Sequence, residues 1–272
     1  MYESRKREIR KSADVFREKC KVGRYGIIDL FKECERCGYK LIRYPLGENA
    51  DLGFAMKKDG DVIIFTNSCS RLSREIFTLA HEIGHAVIHL ADGQSFVDNN
   101  VTIAGRSDDE METEANYFAA CLLMPSDEVD RFLDFEVSNY ADYSITAMDI
   151  ARMMSEFHVS YDMALNRLEN LGKIDVSKKL QLDTERNEKR VGNLLKSIGG
   201  NAKLNMASEV TCLPYEYIDY VIYNYNHNAI PKETLESALS YYKLTLDDIS
   251  DRLADFSDTD DDLDELIGGL ED

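Results

Sequence analysis

The 272-residue chain has no tryptophan, four prolines and fifteen glycines. So few helix breakers point to a helix-rich fold. Its six cysteines, Cys20, Cys34, Cys37, Cys69, Cys121 and Cys212, show no framework spacing. A chain of this length buries enough core to fold without disulfides. Reduced thiols and a cytoplasmic location are the simplest expectation. No apolar run approaches the roughly 18 residues that a membrane span requires. Residues Met1 to Lys11 are charged and lack an apolar stretch, which predicts no signal peptide. Basic residues are scarce: 32 Lys and Arg face 51 Asp and Glu, a net charge of −19. That deficit argues against a general nucleic-acid binder, whose phosphate contacts need Lys and Arg. It also argues against docking on anionic lipid.

The negative charge is uneven. Residues 1–60 carry +5 and residues 173–203 carry +4, whereas residues 71–172 carry −13 and the last 27 residues −11. The run Asp255 to Glu265 reads as a solvated tail, and residues 257–272 are expected to be disordered. Its alternating Asp258, Asp260, Asp262 and Asp264 resemble a calcium loop. Leu263 and Gly269 stand where such a loop needs Gly and Glu, which excludes it.

Local patterns predict helices over Ser4 to Lys21 and Ile27 to Cys37, the second ended by Gly38. Short β-prone runs follow at Tyr39 to Pro45, Leu52 to Lys58 and Val62 to Thr66, with a hairpin turn at Lys58-Asp59-Gly60. Asn67 to Ser70 offer capping side chains for a long helix over Arg71 to Leu90. A loop to about Ser107 leads to a helix over Asp109 to Met124 that stops at Pro125. Irregular sequence precedes a helix–turn–helix-like pair within 147–171, closed by Gly172. It has only Arg152 and Arg167 against several acids, so it is expected to pack on its neighbours rather than on DNA. Residues 176–200 read as a linker that becomes helical, and residues 201–256 as all-α. The tyrosines of Tyr215 to Tyr225 are expected to pack between helices.

The sharpest chemical signal is His81-Glu82-Ile83-Gly84-His85, an HExxH inside the long helix. Four residues turn a helix by about 400°, so the two imidazoles share a face and can converge on one Zn²⁺. Glu82 is offset around the helix. It is placed to take a proton from water activated by the metal. His89 continues the histidine face but lies a further turn along, and reads as a polar or supporting histidine. Ile88 and Ala91 rule out the longer HExxHxxGxxH form.

A third ligand must come from elsewhere, and Glu110, Glu112 and Glu114 on the second helix are the candidates. Measured from the centre of its apolar stripe, Glu112 lies about 60° away, Glu114 about 100° on the other side and Glu110 about 140°. Glu112 is therefore best placed. Asn116, one turn on, is positioned to orient the Glu112 carboxylate. Cys34 and Cys37 have no second pair and read as ordinary thiols. Tyr117 and the tyrosines of 215–225 remain open candidates for oxyanion stabilisation.

Phe77 to His89 (FTLAHEIGHAVIH), followed by Glu112 to Pro125 (ETEANYFAACLLMP), resembles the ImmA/IrrE family of zinc metallopeptidases. The similarity extends over roughly residues 10–175. It implies an α+β, zincin-like domain over residues 1–175, with a small antiparallel sheet and the HExxH helix. A helical C-terminal module over 176–256 and the tail would follow. The family pattern maps metal ligands onto His81, His85 and Glu112 and the general base onto Glu82. The implied cofactor is Zn²⁺. The implied partner is a protein substrate, a helix–turn–helix transcriptional repressor whose cleavage would release phage, mobile-element or stress genes. Direct nucleic-acid binding and membrane association are not expected. A non-proteolytic regulator and a toxin-like partner are the alternatives.

Overall fold

The computed structural model describes residues 1–47, 50, 52–58, 60–90, 110–137 and 145–254. The loop expected up to Ser107 falls outside these residues, as does the acidic tail 257–272. Helix α1, Glu3–Glu18, buries Ile9, Ala13 and Phe16, which recur at helical spacing. Helix α2, Leu30–Arg36, begins later than its apolar pattern suggests. The Asp29 side chain caps it by accepting from the Lys32 amide, and Ile27 is held in a backbone bridge with Val22.

Strands β1, Lys40–Tyr44, β2, Gly53–Lys58, and β3, Asp61–Asn67, form one sheet in the order β1-β3-β2. β2 and β3 pair antiparallel, with Lys58 opposite Asp61. β1 pairs parallel with β3, with Lys40 opposite Ile63. The sheet is thus mixed, not purely antiparallel as expected. Three strands that reverse at each link leave the first and third pointing the same way. Here the third lies between the other two and meets the first in parallel.

Helix α3, Leu72–Ile88, follows the sheet. The expected caps at its start are used otherwise. Asn67 ties the preceding loop, accepting from the Leu46 and Cys69 amides and donating to the Gly47 carbonyl. The Leu72 amide instead donates to the Met206 carbonyl at 2.7 Å. Helix α4, Glu110–Leu123, packs along α3. A helix not expected from the sequence, α5, Ser126–Glu136, buries Val129, Phe132 and Leu133.

Helices α6, Ala147–Phe157, and α7, Tyr161–Asn170, form the expected pair. A Thr146/Asp149 capping box starts α6, His158 turns the chain with φ 57°, and Ser160 caps α7. Their apolar faces, including Ile150, Met154, Ala164 and Leu168, are buried in the main core. Arg152 pairs with Asp149, and Arg167 is buried, donating to the Met124 carbonyl.

Helices α8, Val176–Lys189, and α9, Val191–Ser197, continue the same body. Leu182, Leu194, Leu195 and Leu204 join the main core. Backbone bridges tie Arg43 to Cys212 and Arg71 to Ala207. The domain boundary expected after residue 175 therefore lies after Cys212. A polar, mixed-charge surface gives α8 and α9 the look of a linker, but one buried leucine stripe is enough to anchor them.

The second unit starts at Leu213. Helices α10, Glu216–Asn226, and α11, Lys232–Tyr241, and a 3₁₀ turn, Asp247–Arg252, enclose a small core of its own. Ile218, Val221, Ile222, Leu235, Leu239 and Ile249 fill it. Contrary to expectation, Tyr215, Tyr217, Tyr220 and Tyr223 face outward, because the aliphatic stripe of α10 takes the inner face. Among the described residues no helix is long and apolar enough to cross a membrane.

Candidate metal centre

The site is built where α3 and α4 come closest. At Gly84 an added Cβ would lie 3.1 Å from Phe118 Cδ1 and 3.3 Å from the Ala115 Cα. A side chain there would push the helices apart. With glycine, the histidine face of α3 meets the first turns of α4. On the other side β2 presses on α3: a Cβ at Gly53 would lie 2.6 Å from Thr78 Cγ2 and 3.4 Å from Glu82 Cγ. This contact helps bury Glu82, which is 7% exposed.

His81 Nε2 and His85 Nε2 are 3.0 Å apart. Glu112 approaches both, with Oε2 3.3 Å from His81 Nε2 and Oε1 3.3 Å from His85 Nε2. Among the described residues these three form the group suited to holding a metal ion. Neither Glu110 nor Glu114 joins it. The donor chemistry fits a zinc-like ion: two imidazoles and a carboxylate are a familiar catalytic set. The spacing fits as well, because bonds of 2.0–2.1 Å at tetrahedral angles would separate ligand atoms by about 3.3 Å. The adjoining imidazoles of His81 and His85 hold the Glu112 carboxyl well below the usual carboxylate range, against the opposing effect of burial. Burial alone would lower the His81 pKa, but Glu112, the nearby Glu82 charge and Asn116 outweigh it and raise the value.

Asn116 does not steady Glu112 as expected. Its Oδ1 meets His81 Nδ1 at 3.0 Å. That carbonyl oxygen can only accept, so Nδ1 carries the hydrogen and a neutral His81 presents a bare Nε2 to the centre. His89 stands outside the ligand set. Its Nδ1 lies 3.0 Å from His85 Nδ1 and its Nε2 3.2 Å from Glu114. Sequence reasoning weighed Glu114 only as a metal ligand, and it did not single out Arg5. The Tyr117 hydroxyl accepts from Arg10 at 3.0 Å and is engaged with α1.

A cavity of about 830 Å³ is bordered by Phe77, one turn before His81 on α3, and by Asn116; the three converging side chains do not line it. Arg71, Arg74, Arg167 and Arg186 line it, with Asp162 as its acid among the described residues. Arg186 is paired with Asp162, whereas Arg71 and Arg74 are exposed to solvent.

The family described as the IrrE N-terminal-like domain matches residues 34–169. That range includes the three converging side chains, Glu82 and Asn116. A radiation response metalloprotease IrrE of Deinococcus radiodurans is 34% identical over 107 residues, covering 39% of this chain and 30% of that protein. Its namesake in Deinococcus deserti is 42% identical over 72 residues, 26% of this chain and 25% of that protein. An uncharacterized immunity region protein 2 of Bacillus phage phi105 is 32% identical over 102 residues, 38% of this chain and 58% of that protein. The chain thus spans under a third of the two Deinococcus proteins and somewhat over half of the phage protein. With the family match covering half of its length, the chain belongs to the ImmA/IrrE family.

Proposed function

We propose that this protein is a zinc-dependent endopeptidase, with His81, His85 and Glu112 as metal ligands and Glu82 as general base. The observation that carries the reading is the convergence of two imidazole nitrogens and one carboxylate within 3.0–3.3 Å of one another, next to a buried glutamate. A zinc ion in such a set acts as a Lewis acid on water and on a substrate carbonyl. Glu112 supplies the negative charge that balances the cation. Asn116 orients His81. Glu82 accepts a proton from the attacking water and returns it to the leaving amine. Its burial excludes competing solvent.

The substrate is a protein, and family resemblance favours a helix–turn–helix repressor. The relatives' names, a radiation response protease and a phage immunity protein, suit the cutting of a regulator that holds stress or phage genes silent. The cavity bordered by Phe77 and Asn116 is lined by arginines, which favour acidic side chains of a bound substrate chain. Six free cysteines suit a reducing, cytoplasmic setting.

Metal analysis and cleavage of the cognate repressor test this reading. The purified protein should hold one zinc and cut the repressor at one site. Glu82→Gln should keep the zinc and lose at least about 10²-fold in cleavage rate, the lower end for loss of a general base. Full activity of that variant, or absence of stoichiometric zinc, would overturn the assignment.

A further inference from the structure

The side chains behind His85 form a chain that reaches the protein surface. Arg5 of α1 grips Glu114 with two contacts, Nε to Oε1 at 2.7 Å and Nη2 to Oε2 at 2.6 Å. Glu114 Oε2 lies 3.2 Å from His89 Nε2, and His89 Nδ1 lies 3.0 Å from His85 Nδ1. Glu114 and His89 are nearly enclosed, at 8% and 7% side-chain exposure, so water does not readily replace either contact.

Each link leaves one arrangement of hydrogens. A carboxylate paired with a guanidinium can only accept, so His89 Nε2 must carry a hydrogen. A neutral His89 then has a bare Nδ1, which can only accept. His85 Nδ1 must therefore carry the donated hydrogen. A neutral His85 is left with a bare Nε2, the atom that faces His81 and Glu112. We infer that Arg5, Glu114 and His89 are positioning residues that fix the His85 tautomer and aim its Nε2 at the metal. The inference rests on the metallopeptidase reading. On the other side of the centre a single neutral amide, Asn116, does the same for His81. The two ligands are thus oriented independently, one through its neighbour on α4 and one through a relay anchored on α1. Partners of this kind change metal affinity about 10–100-fold when removed.

Two variants of the full-length protein separate positioning from packing. His89→Phe fills the space but removes the acceptor for His85 Nδ1–H. His89→Gln packs less well but restores an amide oxygen. Competition with a chelator for Zn²⁺ should show about 10–100-fold weaker binding for His89→Phe. His89→Gln should recover most of the loss. Equal affinity of His89→Phe and the parent would overturn the inference, as would equal losses in both variants. Nitrogen chemical shifts of His85 in the metal-free protein give a second readout. The parent should carry its hydrogen on Nδ1, and His89→Phe should show a mixture of tautomers. A parent that binds no Zn²⁺ would sink the metallopeptidase reading, while the nitrogen shifts would still decide the relay.

Discussion

Single residues define the chemistry of this protein, and their partners matter as much as their identities. The Nε2 atoms of His81 and His85 face the centre because Asn116 and His89 engage their far nitrogens. Glu112 and Glu114 sit two positions apart on one helix yet serve different ends. The first faces His81 and His85, and the second links Arg5 to His89. Arg71 and Arg74 stand out in a strongly acidic molecule, because they line the cavity bordered by Phe77 and Asn116 with exposed side chains. Exposed charges steer partners more than they stabilise folds. Reversing both, Arg71→Glu with Arg74→Glu, should leave stability nearly unchanged. It should lower kcat/KM for peptides with acidic residues near the cleaved bond by about 10-fold or more, within the range of electrostatic steering. Equal losses on acidic and neutral peptides would argue that this cavity does not read substrate charge.

At the scale of elements, the pairing of α3 with α4 makes the site. Gly84 is where the two helices approach closely enough for Glu112 to reach the histidines. A Cβ there would lie 3.2 Å from Phe118 Cβ and 3.3 Å from the Ala115 Cα, atoms on or next to the backbone that cannot swing away. Gly84→Ala should therefore destabilise the protein by about 1–3 kcal/mol, the usual cost of overpacking. It should also weaken metal binding, because moving α4 outward moves Glu112. Urea unfolding and chelator competition measure the two effects, and an alanine variant with parental values in both would contradict this account of the glycine. Most helices here are legible from apolar periodicity. The exception, α5, carries Val129, Phe132 and Leu133 at helical spacing, but within eleven residues crowded with acids after Pro125. A stripe that short resembles chance until its burial is seen. The mixed sheet is likewise invisible to local pattern, since strand order depends on where β3 inserts.

The whole molecule is two compact units, each with its own apolar core. The second is small and depends on its turns. Asp248 accepts from the Thr245 hydroxyl at 2.7 Å and from the Thr245 amide at 2.8 Å, closing the last turn beneath Ile249. Those two bonds lower the Asp248 pKa. A carboxyl whose folded pKa lies below its unfolded value of about 3.9 stabilises the fold above that pH. The contribution is lost as pH falls through the folded pKa. Asp248→Asn should thus lower the melting temperature of the 213–254 unit at pH 7, with the difference from the parent shrinking by pH 3. NMR signals of Ile249 during heating report it. Zinc affinity should stay unchanged at pH 7, because the proposed metal ligands belong to the first unit. A gap between variant and parent that is as large at pH 3 as at pH 7 would assign the effect to something other than the Asp248 charge.

The amino-acid sequence by itself determined which groups could act. The spacing of His81 and His85 places two imidazoles on one face, and the stripe of the following helix selects Glu112 over its neighbours. Both follow from the fixed geometry of a helix, which needs no knowledge of the rest of the chain. Only the tertiary structure decided what those groups meet. Arg5 and Glu114 are 109 residues apart, Asn116 turns to His81 rather than to Glu112, and a few buried leucines bind residues 176–212 to the first unit. Such pairings depend on how helices pack across the core. Periodicity fixes a face, and packing chooses its partner.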